Sequence, residues 1–168
     1  MRYGNLRKYI QKQANSLDDG IKGRWVQNAI MAVAHLHHHG IIHADISPRN
    51  FLVADDLTIK LCDFGGSGIG ELQSLVAEEC YQSPGPRRTV ETDLFALGCL
   101  VYEFAAGSPP YADIEWEEIG RRYKRREFPS LDHALYRDII RKCWTFQYTK
   151  ADQTLRDLEQ QEKPRTDS

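Results

Sequence analysis

The chain has 168 residues, a net charge of −2 and 27% charged side chains, enough for one domain with a real core and no strong pull toward nucleic acid or an anionic membrane. Its apolar runs fall far short of the roughly 20 residues that cross a bilayer, and no signal-peptide pattern follows Met1. Cysteines at 62, 80, 99 and 143 form no CxxC or zinc spacing, which fits reduced, buried thiols in a cytoplasmic protein.

Residues 3–13, YGNLRKYIQKQ, predict a short helix entered through Gly4. Between 22 and 39, Val26, Ile30, Val33 and Leu36 recur at helical spacing with Ala29 and Ala34 between them; this predicts a longer helix stopped by Gly40. The octet HADISPRN, residues 43–50, reads as an irregular loop. FLV and TIKLC are β-prone runs joined by ADD, a small hairpin. Residues 65–90 are rich in Gly, Ser and Pro and read as a long loop. ETDLFALGCLVYEFAAG, 91–107, is apolar on nearly every side; it predicts a central buried helix capped by Thr92 or Asp93 and ended by Gly107 and Pro109–Pro110. A charged amphipathic helix over 114–126 follows, then one over 131–144 with Leu135, Ile139, Ile140 and Cys143 on one face, then one over 151–160. The expected architecture is a mostly α domain of the α+β kind over 1–160, about six helices around the buried one. The polar residues 161–168 are expected to form a disordered tail.

Three polar residues of the middle region form a candidate site. A hairpin brings its two ends side by side, so Asn50 before the outgoing strand and Asp63 after the return strand should meet. Asp45, five residues before Asn50, belongs to the same edge. An isolated loop Asp or Asn is more often a turn former; the joint pattern is what points to chemistry. Mg²⁺ prefers oxygen ligands and keeps several waters, so Asn50 and Asp63 suffice as its protein ligands. Asp45 is then the candidate base for phosphoryl transfer to a hydroxyl.

His-x-Asp-Ile-x-Pro-x-Asn over 43–50, followed by Asp-Phe-Gly at 63–65, resembles the catalytic and metal loops of eukaryotic protein kinases. Further landmarks keep the family's order: SPG (83–85) in place of Ala-Pro-Glu, DLFALG (93–98) in place of Asp-x-Trp-x-x-Gly, then GSPPY (107–111) and RKCW (141–144). The resemblance covers roughly residues 3–160. It implies the large, C-terminal lobe of the kinase fold, with ATP and Mg²⁺ as cofactors and a protein hydroxyl, Ser or Thr before Tyr, as acceptor. It also implies roles. Asp45 accepts or orients the substrate proton, Asn50 and Asp63 ligate Mg²⁺, and Leu52 faces adenine. His43 and Phe64 stack in a supporting spine, with Gly65 beside them, and Asp93 receives backbone N–H groups of the catalytic loop.

The departures matter as much. Ala44 replaces the family's Arg, so switching by phosphorylation of the activation segment is not expected. Ser47 stands where Ser/Thr kinases carry Lys, and Arg49 resembles the Arg of some tyrosine kinase loops, able to supply the missing charge. Gly85 replaces a Glu, and 148–155 lacks the Arg-Pro that partners it. Losing one member of such a buried pair costs about 3–5 kcal/mol, whereas losing both can be nearly neutral. The small lobe's Gly-rich loop, strand Lys and helix Glu have no counterpart; GGSGIG (65–70) lies after Asp63 and no GK[ST] follows. The expectation is a large lobe that catalyses poorly by itself, since one lost charge donor alone costs roughly 10²–10³ in rate. Ile42, Leu52 and Phe64 then form an exposed apolar face suited to a partner protein.

Two rival readings are a pseudokinase-type scaffold and an aminoglycoside-kinase-like small-molecule phosphotransferase. The latter shares His-x-Asp-x4-Asn but usually lacks the three landmarks at 63, 83 and 93. HLHHHGIIH, 35–43, holds five of the six histidines. His35 and His39 have metal-site spacing, but no acidic third ligand lies in that helix, so an exposed helix end is expected. Cys62 is expected to be a buried small residue.

Overall fold

A computed structural model describes residues 3–13, 17–64, 79–84, 89–132 and 134–162. Among them are helices α1 (Leu6–Gln13), α2 (Asp19–His38), α3 (Val90–Ala106), α4 (Trp116–Lys124), α5 (Arg137–Trp144) and α6 (Ala151–Glu162). Strands β1 (Phe51–Val53) and β2 (Ile59–Leu61) pair antiparallel, and 3-10 turns occupy Pro48–Asn50 and Glu79–Tyr81. The mostly helical architecture with one small hairpin is the expected one.

The helix ends follow from local chemistry. The Asp18 side chain accepts from the Ile21 N–H at 2.8 Å, so α2 starts three residues before the expected Lys22. Its apolar face, with Trp25, Val26, Ile30 and Val33 fully buried, turns into the core. Gly4 and Gly40 take positive φ of 71° and 69° where the chain enters α1 and leaves α2.

α3 is the hub. Leu94, Phe95, Leu97, Cys99, Leu100 and Val101 are each at most 1% exposed. The expected cap at Thr92 or Asp93 is corrected: Thr89 is the N-cap. Its side chain accepts from Thr92 N–H while the Thr92 hydroxyl accepts from Thr89 N–H, a reciprocal capping box. Asp93 is thereby left for another use. Gly107 closes the helix at φ 77°.

The helix expected over 131–144 is shorter. Tyr136 sits at φ 61°, outside the helical region, so α5 begins only at Arg137. Leu135 therefore falls off the buried face and is 40% exposed, whereas Ile139, Ile140 and Cys143 are at most 1% exposed. α4 is trimmed to 116–124, with Arg126 at φ 58° just beyond it, and α6 runs two residues past 160.

The hairpin hangs on α2. Trp25 Nε1 donates to the Leu57 carbonyl at 2.8 Å, and the Ile59 N–H donates to Asn28 Oδ1 at 3.2 Å. Phe51 pairs with Leu61 and Val53 with Ile59; Phe51, Val53 and Ile59 are buried. Asp56 Oδ1 accepts from Thr58 N–H at 3.0 Å, the Asx device that shapes such a turn.

A buried ion pair ties α1 to α3. Arg7 Nη1 donates to Glu103 Oε1 at 2.7 Å, with Glu103 2% exposed. The Tyr81 hydroxyl donates to Glu103 Oε2, so the 79–81 turn joins the same knot. Burial first, then the Glu103 charge, push the Tyr81 hydroxyl well above its ordinary pKa and keep it a donor. All four cysteines are free thiols; burial raises the pKa of Cys99 and Cys143 far above the usual thiol range. No described helix is long and apolar enough to cross a membrane.

α3 and α5 meet at Gly98. A Cβ there falls 2.6 Å from Cys143 Cβ and 3.2 Å from Trp144 Cδ1, and Trp144 Nε1 donates to Cys99 Sγ at 3.2 Å beside it. Gly98→Ala is expected to cost about 1–3 kcal/mol by overpacking, read as a lower urea midpoint. An unchanged midpoint means that α5 can move away freely.

Candidate functional site

The loop 41–50 runs from the end of α2 to β1, and each of its turns has a local cause. The Ile41 N–H donates to the Leu36 carbonyl at 3.0 Å, which folds the chain back under α2. The loop then crosses α3 at Asp93, which is 1% exposed. Asp93 Oδ2 accepts from His43 N–H and Oδ1 from Ala44 N–H, both at 2.8 Å. His37 Nε2 lies 3.0 Å from Oδ2. With three donors aimed at it, the carboxylate is compensated in the core. It also holds Ala44 at φ 64°, a conformation that costs a non-glycine residue of order 1 kcal/mol.

Asp45 and Asn50 are brought together. Pro48 opens the 3-10 turn, whose fixed φ suits that position, and the turn swings Asn50 back. Asn50 Nδ2 donates to the Asp45 carbonyl at 2.7 Å and to Asp45 Oδ2 at 2.8 Å. The amide thus orients the carboxylate and spends its donors on it. Asn50 Oδ1 and Asp45 Oδ1 take no hydrogen bond among the described residues.

His43 joins the loop to the return strand. It is fully buried. Its Nε2 lies 3.1 Å from the Cys62 carbonyl, and its Nδ1 receives the Asp45 N–H at 3.3 Å. A carbonyl can only accept, so Nε2 carries the proton. The Cys62 N–H donates to the Asn50 carbonyl at 2.8 Å, which places Asp63 immediately past the pairing with Asn50. Asp63 is exposed and adopts φ 60°. Phe64 lies 5.5 Å from the His43 ring, centroid to centroid, and is 48% exposed. Burial first, then the Asp63 charge, raise the Cys62 thiol, which also donates to the Asn50 carbonyl at 3.2 Å; it is half-buried rather than fully buried.

Of the other expected site residues, Leu52 is half-buried on β1 opposite Lys60, and Arg49 is exposed. Of the proposed apolar face, Phe64 is exposed while Ile42 and Leu52 are half-buried. Ser47 is fully buried, its hydroxyl without a partner among the described residues. Gly65, the run 65–70 and Gly85 lie outside the described residues.

The donor set suits a hard cation. Asn50 Oδ1 and the Asp63 carboxylate both offer oxygen donors. No group of three or more His, Cys, Asp or Glu among the described residues is placed to hold a metal by itself. Mg²⁺, which keeps several of its waters, needs no such cage.

Two contributors escape a linear reading. His37 sits in a histidine run that suggests only metal spacing, yet it is the one that reaches Asp93; it lies one turn beyond buried Val33 and Ala34, a register that turns it inward. His35 and His39 are exposed, their rings 4.5 Å apart. Glu103, in an apolar helix, carries no motif at all; its signal is a lone carboxylate where the period demands burial.

The family model described as protein kinase domain matches residues 1–158. The human putative 3-phosphoinositide-dependent protein kinase 2 is 31% identical over 160 residues, which covers 88% of this chain and 40% of that protein. An Aurora kinase of Schizosaccharomyces pombe is 32% identical over 149 residues, covering 82% of this chain and 41% of its own length. The serine/threonine-protein kinase RUNKEL of Arabidopsis thaliana is 31% identical over 149 residues, 11% of its length. The chain thus spans less than half of the curated relatives it matches.

Asp93→Asn puts an amide NH₂ where a carboxylate oxygen accepts, so at least one of the three donors loses its acceptor. The expected cost is about 1–3 kcal/mol, with faster hydrogen exchange at the His43 or Ala44 amide. Unchanged exchange at both amides removes Asp93 as the anchor of the loop.

Proposed function

The chain belongs to the protein kinase family, and on that premise we propose that its loop 43–50 and Asp63 serve phosphoryl transfer from MgATP to a protein serine or threonine hydroxyl. The observation that carries this reading is the clamp of Asn50 Nδ2 on Asp45 Oδ2 at 2.8 Å. It fixes a base and a metal ligand in one rigid unit.

In this reading Asp45 Oδ1 receives the proton of the acceptor hydroxyl as that oxygen bonds to the γ-phosphorus and the bond from the γ-phosphorus to the departing ADP oxygen breaks. Asn50 Oδ1 and the Asp63 carboxylate would hold Mg²⁺, which would neutralise charge on the phosphates. Exposed Arg49 supplies a cation at the loop edge, where Ser47 has none to give. Leu52 on β1 faces the adenine, and exposed Phe64 beside half-buried Leu52 and Ile42 meets the opposing lobe or a partner protein. The Ser/Thr preference draws support from the matched relatives, one of which is named a serine/threonine kinase.

The family's Gly-rich loop, strand Lys and helix Glu have no counterpart in the sequence. The 168-residue chain alone is therefore expected to transfer labelled phosphate from ATP at background rate. Fused to the nucleotide-binding lobe of a matched relative, it should phosphorylate serine or threonine in a general protein acceptor. Asp45→Asn should then lower that rate about 10²–10⁴-fold. A fusion that transfers phosphate equally well with Asn at 45 overturns the assignment; a correctly folded fusion that transfers none favours a scaffold.

A further inference from the structure

The end of α2 carries four histidines, and the site uses one of them. His37 turns inward to Asp93. His35, His38 and His39 are exposed. His35 and His39 stand four positions apart, on one side of the last turn. Their ring centroids are 4.5 Å apart with an interplanar angle of 50°. His39 is the C-cap, at φ −92° and ψ 11°, near enough to helical to keep that register.

The second observation is a hydrogen bond that fixes a tautomer. His39 Nδ1 lies 2.8 Å from the His35 carbonyl oxygen. A carbonyl can only accept, so Nδ1 carries the proton and Nε2 of the neutral ring keeps its lone pair. Metal-binding imidazoles share this outer contact: one nitrogen donates to a backbone carbonyl and holds the ring, and the other is left to ligate. The ring nitrogens of His35 have no hydrogen-bond partner among the described residues. A capping contact accounts for His39 alone and gives His35 no role. Packing gives it none either, since the ring is exposed and histidine favours a helix less than alanine, leucine or lysine does.

The position suits a cation as well. The C-terminal end of a helix is the negative end of its dipole. Imidazole nitrogen selects zinc, copper and nickel, whereas Mg²⁺ prefers oxygen.

The geometry points to a two-imidazole site at the end of α2 for a divalent transition ion of the zinc class. His39 Nε2 and one ring nitrogen of His35 are its ligands, and water fills the remaining positions. His38 stands outside it, its ring meeting that of His39 edge-on at 5.4 Å. No third His, Cys, Asp or Glu among the described residues completes a protein cage, so the site is open and its ion exchangeable. A bridge from 35 to 39 closes the final turn, where the His39 and Ile41 N–H groups donate to the Leu36 carbonyl and the Gly40 N–H to the His37 carbonyl. The ion thereby fastens the turn that carries His37 to Asp93 and starts the loop 41–50. This site is independent of the phosphoryl-transfer reading.

Zn²⁺ titrated into the 168-residue chain, with Mg²⁺ in excess to occupy Asn50 and Asp63, should shift the ring resonances of His35 and His39 saturably. Hydrogen exchange at the His39, Gly40 and Ile41 amides should slow. The melting temperature should rise by about 3–6 °C at about ten times the dissociation constant. Acidification should weaken uptake, because protons compete for the imidazoles. His35→Gln and His39→Gln should each weaken binding at least about tenfold, whereas His38→Gln should change it by less than about twofold. The proposal is overturned by an absence of saturable shifts at the two rings, by undiminished binding in His35→Gln, or by equal weakening in His38→Gln.

Discussion

A single buried carboxylate organises the site. Asp93 is carried by the most buried helix of the chain and accepts from His43 N–H, Ala44 N–H and His37 Nε2 within 3.0 Å. A charge in that position is tolerable only because its donors are fixed. The dependence runs both ways: the loop needs the carboxylate to hold Ala44 at positive φ, and the carboxylate needs the loop to remain compensated. α3 must therefore stand at a definite height, which the close contact of Gly98 with Cys143 and Trp144 on α5 enforces.

From that anchor the hairpin acts as a ruler. Its strands are three residues each, too short to be stable alone, and they persist because Trp25 and Asn28 of α2 hold the turn and β2. The hairpin's open end delivers Asn50 and Asp63 from two stretches of chain. His43 bridges both, touching Cys62 through one ring nitrogen and Asp45 through the other. The carboxylate of Asp45 is thus oriented by a loop that helix, strand and histidine all restrain.

The C-terminal end of α3 carries a second polar knot. Arg7, Tyr81 and Glu103 join α1, the 79–81 turn and α3, and Tyr123 of α4 reaches the neighbouring Cys80 carbonyl. Elements distant in sequence are locked to the same central helix.

Local pattern was legible in the chain itself. The spacing of Val26, Ile30 and Val33 marks α2, the unbroken apolar run marks α3, and two β-prone runs around ADD mark the hairpin, because these signals depend only on residues a few positions apart. The ordered landmarks from His43 to Trp144 likewise identify the family without coordinates. The uses of particular polar residues were not legible. Asp93 looks like a cap in sequence, but Thr89 takes that role, and a loop 50 residues away in the chain claims the carboxylate. His37, Glu103 and the loss of Leu135 from the buried face belong to the same class. Periodicity determines which side of an element faces inward. Only the packed fold decides which donor meets which acceptor, since those partners are set by the approach of distant segments and not by neighbours in the chain.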